Sequence, residues 1–248
     1  MFPIRDHNPS GRTPYVTYAL MAINIAVFLA YWPLIENPRA INQLFQDWAM
    51  IPASVTMAGA YDRVLTSMFL HGGWLHLAGN MLFLWIFGDN MEDEMGHAGY
   101  LVFYLLGGLA AGLAQVLAAP YSQVPTVGAS GAIAAVMGGY LLFFPKARVD
   151  ILIIILFYIR ILPIPAWIML GLWFAMQLFG GWGSDPTTGG VAYWAHAGGF
   201  VAGILLSLPL FLRRGGPAFW ARSDGHPPHP EAQYRYAKSN IPIVRKRN

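Results

Sequence analysis

Ser130, His196, His76 and Asn80 stand inside stretches so apolar that each is costly to bury, and together they comprise a nucleophile, a base and hydrogen-bond donors. Ser130 lies in Val127-Gly-Ala-Ser-Gly-Ala-Ile133 and His196 in Tyr193-Trp-Ala-His-Ala-Gly-Gly-Phe200, while His71, His76 and Asn80 interrupt a third apolar run. Strongly polar groups at membrane depth face a bundle interior or a wet cavity and usually mark function there. Each also has a plainer reading. A serine among glycines is more often helix-packing glue than a nucleophile, and a lone membrane histidine serves equally as proton relay or structural donor. The joint pattern favours chemistry.

The elements that must position these groups are membrane helices. The 248 residues are 56% hydrophobic and 11% charged, against a usual charged share of about a quarter. No Asp, Glu, Lys or Arg occurs over 98–145, and only Asp185 over 161–212. Such runs read as transmembrane helices of about 20 residues each. The expected fold class is an all-α membrane protein with six spans, at 15–32, 64–87, 100–119, 127–144, 164–179 and 192–212. The apolar patch 151–159 is too short to cross and reads as an interfacial or partly buried loop. Residues 33–62 form a long first loop, which is usually functional or carries helix of its own.

The expected organisation is an N-terminal segment 1–14, a membrane domain 15–212 and a polar, Pro-rich, basic tail 213–248 that reads as disordered. The N-terminal stretch shows no convincing cleavage site, so the first helix reads as retained. With six spans the termini share a side, and thirteen of the fifteen Lys and Arg residues fall there, leaving Arg39 and Arg63 opposite. The positive-inside rule then makes both termini cytoplasmic and the first loop external. The expected location is the plasma or inner membrane. The net charge of +3 calls for no nucleic acid, because the basic residues flank membrane spans; anionic lipid suits the tail. There are no cysteines, hence no disulfide framework or thiolate metal site, and no internal repeat is evident.

On this topology the second, fourth and sixth spans run in the same direction. Counting back from Asp89, Lys146 and Arg213 puts His76, Ser130 and His196 at roughly 20, 24 and 26 Å above the inner edge, one layer just below the outer surface. His76 and Asn80 share a helix face. His71 falls about 140° from His76 on a continuous helix, which suits a structural role near the first loop. If the fourth helix starts near Ser130, its free N–H groups and positive dipole end face any anion formed there. Gly199 and Gly203 on one span, and Gly131, Ala135 and Gly139 on another, form small-residue stripes that allow close packing. Glu92, Asp93 and Glu94 read most simply as a solvated helix end, and Trp173 and Phe174 as lipid-facing or packing residues.

Other motifs fail. Gly128-Ala-Ser-Gly-Ala132 lacks the last glycine of the Gly-x-Ser-x-Gly elbow and has no strand before it. No His-Glu-x-x-His, Walker loop or dinucleotide fingerprint appears, so no metal and no cofactor is expected.

The chain resembles the rhomboid family of intramembrane serine proteases. The family's His-x4-His-x3-Asn is similar to His71, His76 and Asn80, its Gly-x-Ser-Gly to Gly128, Ser130 and Gly131, and its Ala-His-x2-Gly-x3-Gly to Ala195, His196, Gly199 and Gly203. The resemblance covers 64–212. It implies a Ser130–His196 dyad, an oxyanion site from His76, Asn80 and the Ser130 N–H, transmembrane protein substrates within the lipid bilayer, and structural roles for Glu92 and Arg63. Two departures stand out. Asp62 precedes Arg63 where many members have tryptophan, and Ala134 stands where some members stack an aromatic ring on the histidine, so another group must orient His196. A non-cleaving helix-binding relative and a proton-coupled transporter using His71, His76 and His196 remain as alternatives.

Overall fold

A computed structural model of the chain describes residues 2–155, 158–185, 187–228, 230–232 and 234. The architecture is mostly helical, in the order β1 (Phe2–Asp6), α1 (Tyr15–Tyr31), α2 (Pro38–Trp48), α3 (Pro52–Ala58), α4 (Asp62–Thr66), α5 (Trp74–Met95), α6 (His97–Ala118), α7 (Ser130–Phe143), β2 (Arg148–Ile155), β3 (Tyr158–Pro165), α8 (Ala166–Gly183), α9 (Tyr193–Arg213) and α10 (Pro217–Ser223). Among the described residues three helical stretches are long and apolar enough to cross a membrane: Tyr15–Leu34, His97–Ala118 and Tyr193–Arg213.

The centre of the bundle is α7. Gly131 through Tyr140 are all buried along it, with α5, α6 and α9 packed around. Its 14 residues give about 21 Å of helix, shorter than the roughly 30 Å hydrocarbon core. Protein covers it on every side, which is the condition for irregular backbone at such depth. The contact with α9 is backbone to backbone: a Cβ at Gly199 would overlap the Gly131 carbonyl, one at Gly203 the Ala135 carbonyl, and one at Gly138 the Phe200 carbonyl. Gly131 itself faces Ala111 of α6.

The all-α expectation is corrected by a three-stranded antiparallel sheet in the order β1-β2-β3. Residues 151–155, read from sequence as loop, are strand. Val149, Ile151, Ile153 and Ile154 favour the pleated backbone, and Arg148 to Ile155 pair in register with Pro165 to Tyr158. Pro3 and Pro163 lie on the two edge strands, where a missing N–H is tolerated. Across the sheet, buried Asp150 accepts hydrogen bonds from Arg5 Nε and His7 Nε2, each at 2.7 Å. Asp6 accepts from Tyr140 Oη of α7 at 3.0 Å, and Asn90 of α5 donates to the Asn8 carbonyl at 2.8 Å. The N-terminal segment is thereby bolted to the base of the bundle.

Further corrections follow. The run 64–87 is not one helix: α4 ends at Thr66, a 3-10 turn covers Ser67–Phe69, and α5 starts only at Trp74, after His71-Gly72-Gly73. The tail does not turn irregular at residue 213, because α10 folds back and Trp220 Nε1 donates to the Leu142 carbonyl at 2.9 Å; residues 235–248 lie outside the described residues. Glu92 is not a solvated helix end. It is 2% exposed and accepts from Val16 N (2.8 Å), Thr17 N (2.8 Å), Thr17 Oγ1 (2.7 Å) and His97 Nδ1 (2.5 Å). Since α1 lacks a capping side chain of its own, this carboxylate satisfies N–H groups that the first turn leaves free and complements the helix dipole. Asp93 and Glu94 pair with Arg12 and Arg214. Arg63 Nη1 donates to the Gln46 carbonyl at 2.6 Å and Thr66 Oγ1 to the Trp48 carbonyl at 2.7 Å, so segment 33–62 is anchored with Asp62 in the preceding position.

Two outcomes are expected. Gly203→Val drives a side chain into the α7 backbone and should lower stability by about 1–3 kcal/mol or more, read as a fall in the thermal midpoint in detergent. Burial, reinforced by the Asp89 charge, pushes the Asp6 carboxyl from its ordinary 3.8 up to about 8. The folded chain then holds a proton that the unfolded chain has released, so stability present below 3.8 is lost as pH rises through about 8. Protection of the amides in Phe2–Asp6, meaning exchange corrected for its intrinsic base catalysis, should therefore fall from about pH 6 to 8 in the wild type, and Asp6→Asn should lose most of that fall.

Candidate active site

The loop before α7 turns on Gly128, whose φ of +126° is strained for any side chain. A Cβ there would sit 2.7 Å from His76 Nε2, so glycine also makes room for that ring. The Gly128 N–H donates to the Ser67 carbonyl at 2.9 Å, tying this loop to the turn before α5. Ser130 is the first residue of α7, and a first-turn N–H has no acceptor within its own helix.

His196 comes from the first turn of α9, and its Nε2 lies 2.8 Å from Ser130 Oγ. The close approach of Gly199 to Gly131, three residues after His196 and one after Ser130, sets this distance. His76 and Asn80, one turn apart on α5, line the same cavity of about 510 Å³ with Ser130 and His196. His76 Nδ1 accepts the Gly72 N–H at 3.3 Å, which leaves the proton on Nε2, toward Gly128. Asn80 Nδ2 is buried and has no hydrogen-bond partner among the described residues. The cavity therefore holds a hydroxyl paired to an imidazole and two N–H donors free to meet an oxygen.

His71 is brought near, though not through the face geometry of a continuous helix, since it precedes α5. It is fully buried, its ring meets that of His76 edge-on at 5.2 Å, and its backbone N–H and carbonyl both engage the Tyr31 hydroxyl, at 2.6 and 2.7 Å. It buttresses His76. Glu92 and Arg63 lie away from the cavity, in the helix-capping and loop-anchoring contacts described above. Among the described residues no group of three or more His, Cys, Asp or Glu side chains forms a metal-type cluster.

The sequence reading missed three residues. Gln177 of α8 places Oε1 at 2.8 Å from His196 Nδ1. Trp173, one turn earlier and read as lipid-facing or packing, lies 5.9 Å from the His196 ring at 34°; only Phe174 is a plain packing residue, stacked on Phe200 at 4.8 Å. Gln115 of α6 accepts the Ala195 N–H at 3.2 Å and steadies the start of α9. A signal existed: Gln177 is the one amide in the apolar stretch of α8, as Gln115 is in α6, and such groups at membrane depth need a reason.

The long apolar helices of the bundle define an integral membrane protein. A profile of the Rhomboid domain matches residues 58–213, and the chain belongs to the rhomboid family. It is 30% identical over 200 residues to "Rhomboid protein 1, mitochondrial" of Saccharomyces cerevisiae, covering 77% of this chain and 51% of that protein. It is 34% identical over 130 residues to "Rhomboid protease GluP" of Bacillus subtilis, covering 52% and 24%. A shorter match, 42% over 74 residues, joins it to "Rhomboid-like protein 11, chloroplastic" of Arabidopsis thaliana, covering 30% and 26%. The chain spans about half or less of the length of these relatives.

Proposed function

We propose that this chain is an intramembrane serine endopeptidase that cuts transmembrane segments of other membrane proteins through a Ser130–His196 dyad. The observation that carries the reading is the 2.8 Å contact of Ser130 Oγ with His196 Nε2 on a cavity where Asn80 Nδ2 has no partner among the described residues. The protease named among its relatives supports the same reaction class.

In this mechanism the Ser130 Oγ proton passes to His196 Nε2 as Oγ attacks the scissile carbonyl carbon. The carbonyl oxygen becomes an oxyanion and accepts from His76 Nε2–H, Asn80 Nδ2–H and the Ser130 N–H at the positive end of α7. His196 returns the proton to the departing amine as the C–N bond breaks. Water then hydrolyses the acyl-enzyme with His196 again as base. The α-helical form of a substrate hides its peptide bonds, so small or helix-weakening residues near the cut are favoured.

The proposed topology has six spans, with α5, α7 and α8 joining the three long apolar stretches. Segment 1–14 and tail 213–248 lie on the cytoplasmic side of a plasma or inner membrane, and the loop 33–62 lies outside. The basic residues on the sheet, tail and N-terminus are the basis for that orientation. The dyad then sits a few ångströms below the outer surface, open to water through the cavity.

The test is cleavage of a transmembrane substrate reconstituted in liposomes. Ser130→Ala and His196→Ala should each abolish cleavage, while His76→Ala and Asn80→Ala should each lower kcat by about 10²–10³. Cleavage by Ser130→Ala at the wild-type rate refutes the reading.

A further inference from the structure

We propose that Gln177 is the positioning residue of this dyad, holding His196 in the tautomer that leaves Nε2 free to accept the serine proton. The inference rests on the Ser130–His196 reading above and extends it to α8.

An imidazole can serve Ser130 as base only if its proton sits on Nδ1, and which nitrogen carries the proton is set by the hydrogen bond the other makes. His196 Nδ1 faces Gln177 Oε1 at 2.8 Å. An amide can turn either its oxygen or its nitrogen to the ring, and only the oxygen selects the required tautomer. The choice is made by the backbone: Gln177 Nε2 donates to the Trp173 carbonyl at 3.2 Å, which turns Oε1 to the ring. Gln177 is 8% exposed, so water does not compete for its oxygen. Trp173, on the same helix face, holds its ring 5.9 Å from that of His196, inclined at 34°. One turn of α8 thus supplies both the acceptor and the aromatic neighbour that Ala134 does not.

An uncharged acceptor suits this depth. A carboxylate in the same place would favour the imidazolium formed in the reaction, yet it would carry a buried charge through every resting moment. The amide fixes geometry and tautomer without one. Serine proteases in water place an aspartate here; the apolar stretch of α8 offers an amide instead.

The test compares kcat, KM and pH profile of wild type, Gln177→Leu and Gln177→Glu on the reconstituted substrate, with Ser130→Ala as control. Gln177→Leu removes the acceptor and should lower kcat about ten- to a hundredfold with KM unchanged, while ¹⁵N spectra of His196 show loss of the Nδ1–H tautomer. Gln177→Glu keeps an acceptor and should retain activity above neutral pH. Its acid limb should move to higher pH, because the added carboxylate favours the protonated ring. An unshifted limb would mean that the side chain at 177 does not face the ring, so the Glu variant tests the contact even if the Leu variant misfolds, and the Nδ1–H signal of wild-type His196 tests the tautomer directly. Wild-type kcat in Gln177→Leu, or an unshifted acid limb in Gln177→Glu, refutes the role of Gln177 alone when Ser130→Ala is inactive. Cleavage by Ser130→Ala refutes the dyad as well.

Discussion

The backbone contact between α7 and α9 is the constraint on which the rest of the structure depends. Carbonyls of Gly131, Ala135 and Phe200 occupy the space where side chains at Gly199, Gly203 and Gly138 would stand. In lipid no hydrophobic force draws helices together, so close dispersion contact along such stripes has to hold them. The same contact delivers an imidazole from the first turn of α9 to a hydroxyl at the first residue of α7. It also explains how a helix of 14 residues survives at the centre of a membrane protein: its ends and flanks meet protein rather than acyl chains.

Polar groups are sorted by cost along the bundle. At the dyad end the hydrogen-bonding side chains around Ser130 are the histidines, Asn80, Gln115 and Gln177, with Asp185 on the cavity lining. Buried carboxylates gather at the opposite end, where Glu92 caps α1, Asp150 ties Arg5 and His7 across the sheet, and Glu94 pairs with Arg214. A buried ion is tolerable there because each has several donors and the edge of the bundle is near. The sheet and α10 close that end over α7 through Tyr140 and Leu142, so the short central helix is clamped from below while its upper end remains open to the cavity.

What the sequence disclosed follows from the energetics of each feature. Polar residues in apolar runs are conspicuous, and Ser130, His76, Asn80 and His196 stood out because nothing around them dilutes the signal; the structure places all four on one cavity. Gln177 and Gln115 carry the same signal in weaker form, and a search limited to nucleophiles and bases passes over them. The sheet was illegible for another reason. β1 pairs with a strand some 145 residues away, and an apolar run such as 151–155 does not reveal whether its partner is lipid, helix or strand. The approach of His71 to His76 was illegible because helix periodicity does not run across Gly72 and Gly73, where the backbone leaves the helix. Glu92 shows the limit of local reading, since its partners on α1 lie 75 and 76 residues back.

Everything in this site turns on whether His196 makes Ser130 nucleophilic. Treatment of the membrane-reconstituted chain with a fluorophosphonate, followed by peptide mass mapping, addresses this directly. The expected result is a single adduct on Ser130 that vanishes in His196→Ala. An adduct on another serine, or one on Ser130 that forms equally well without His196, would contradict it.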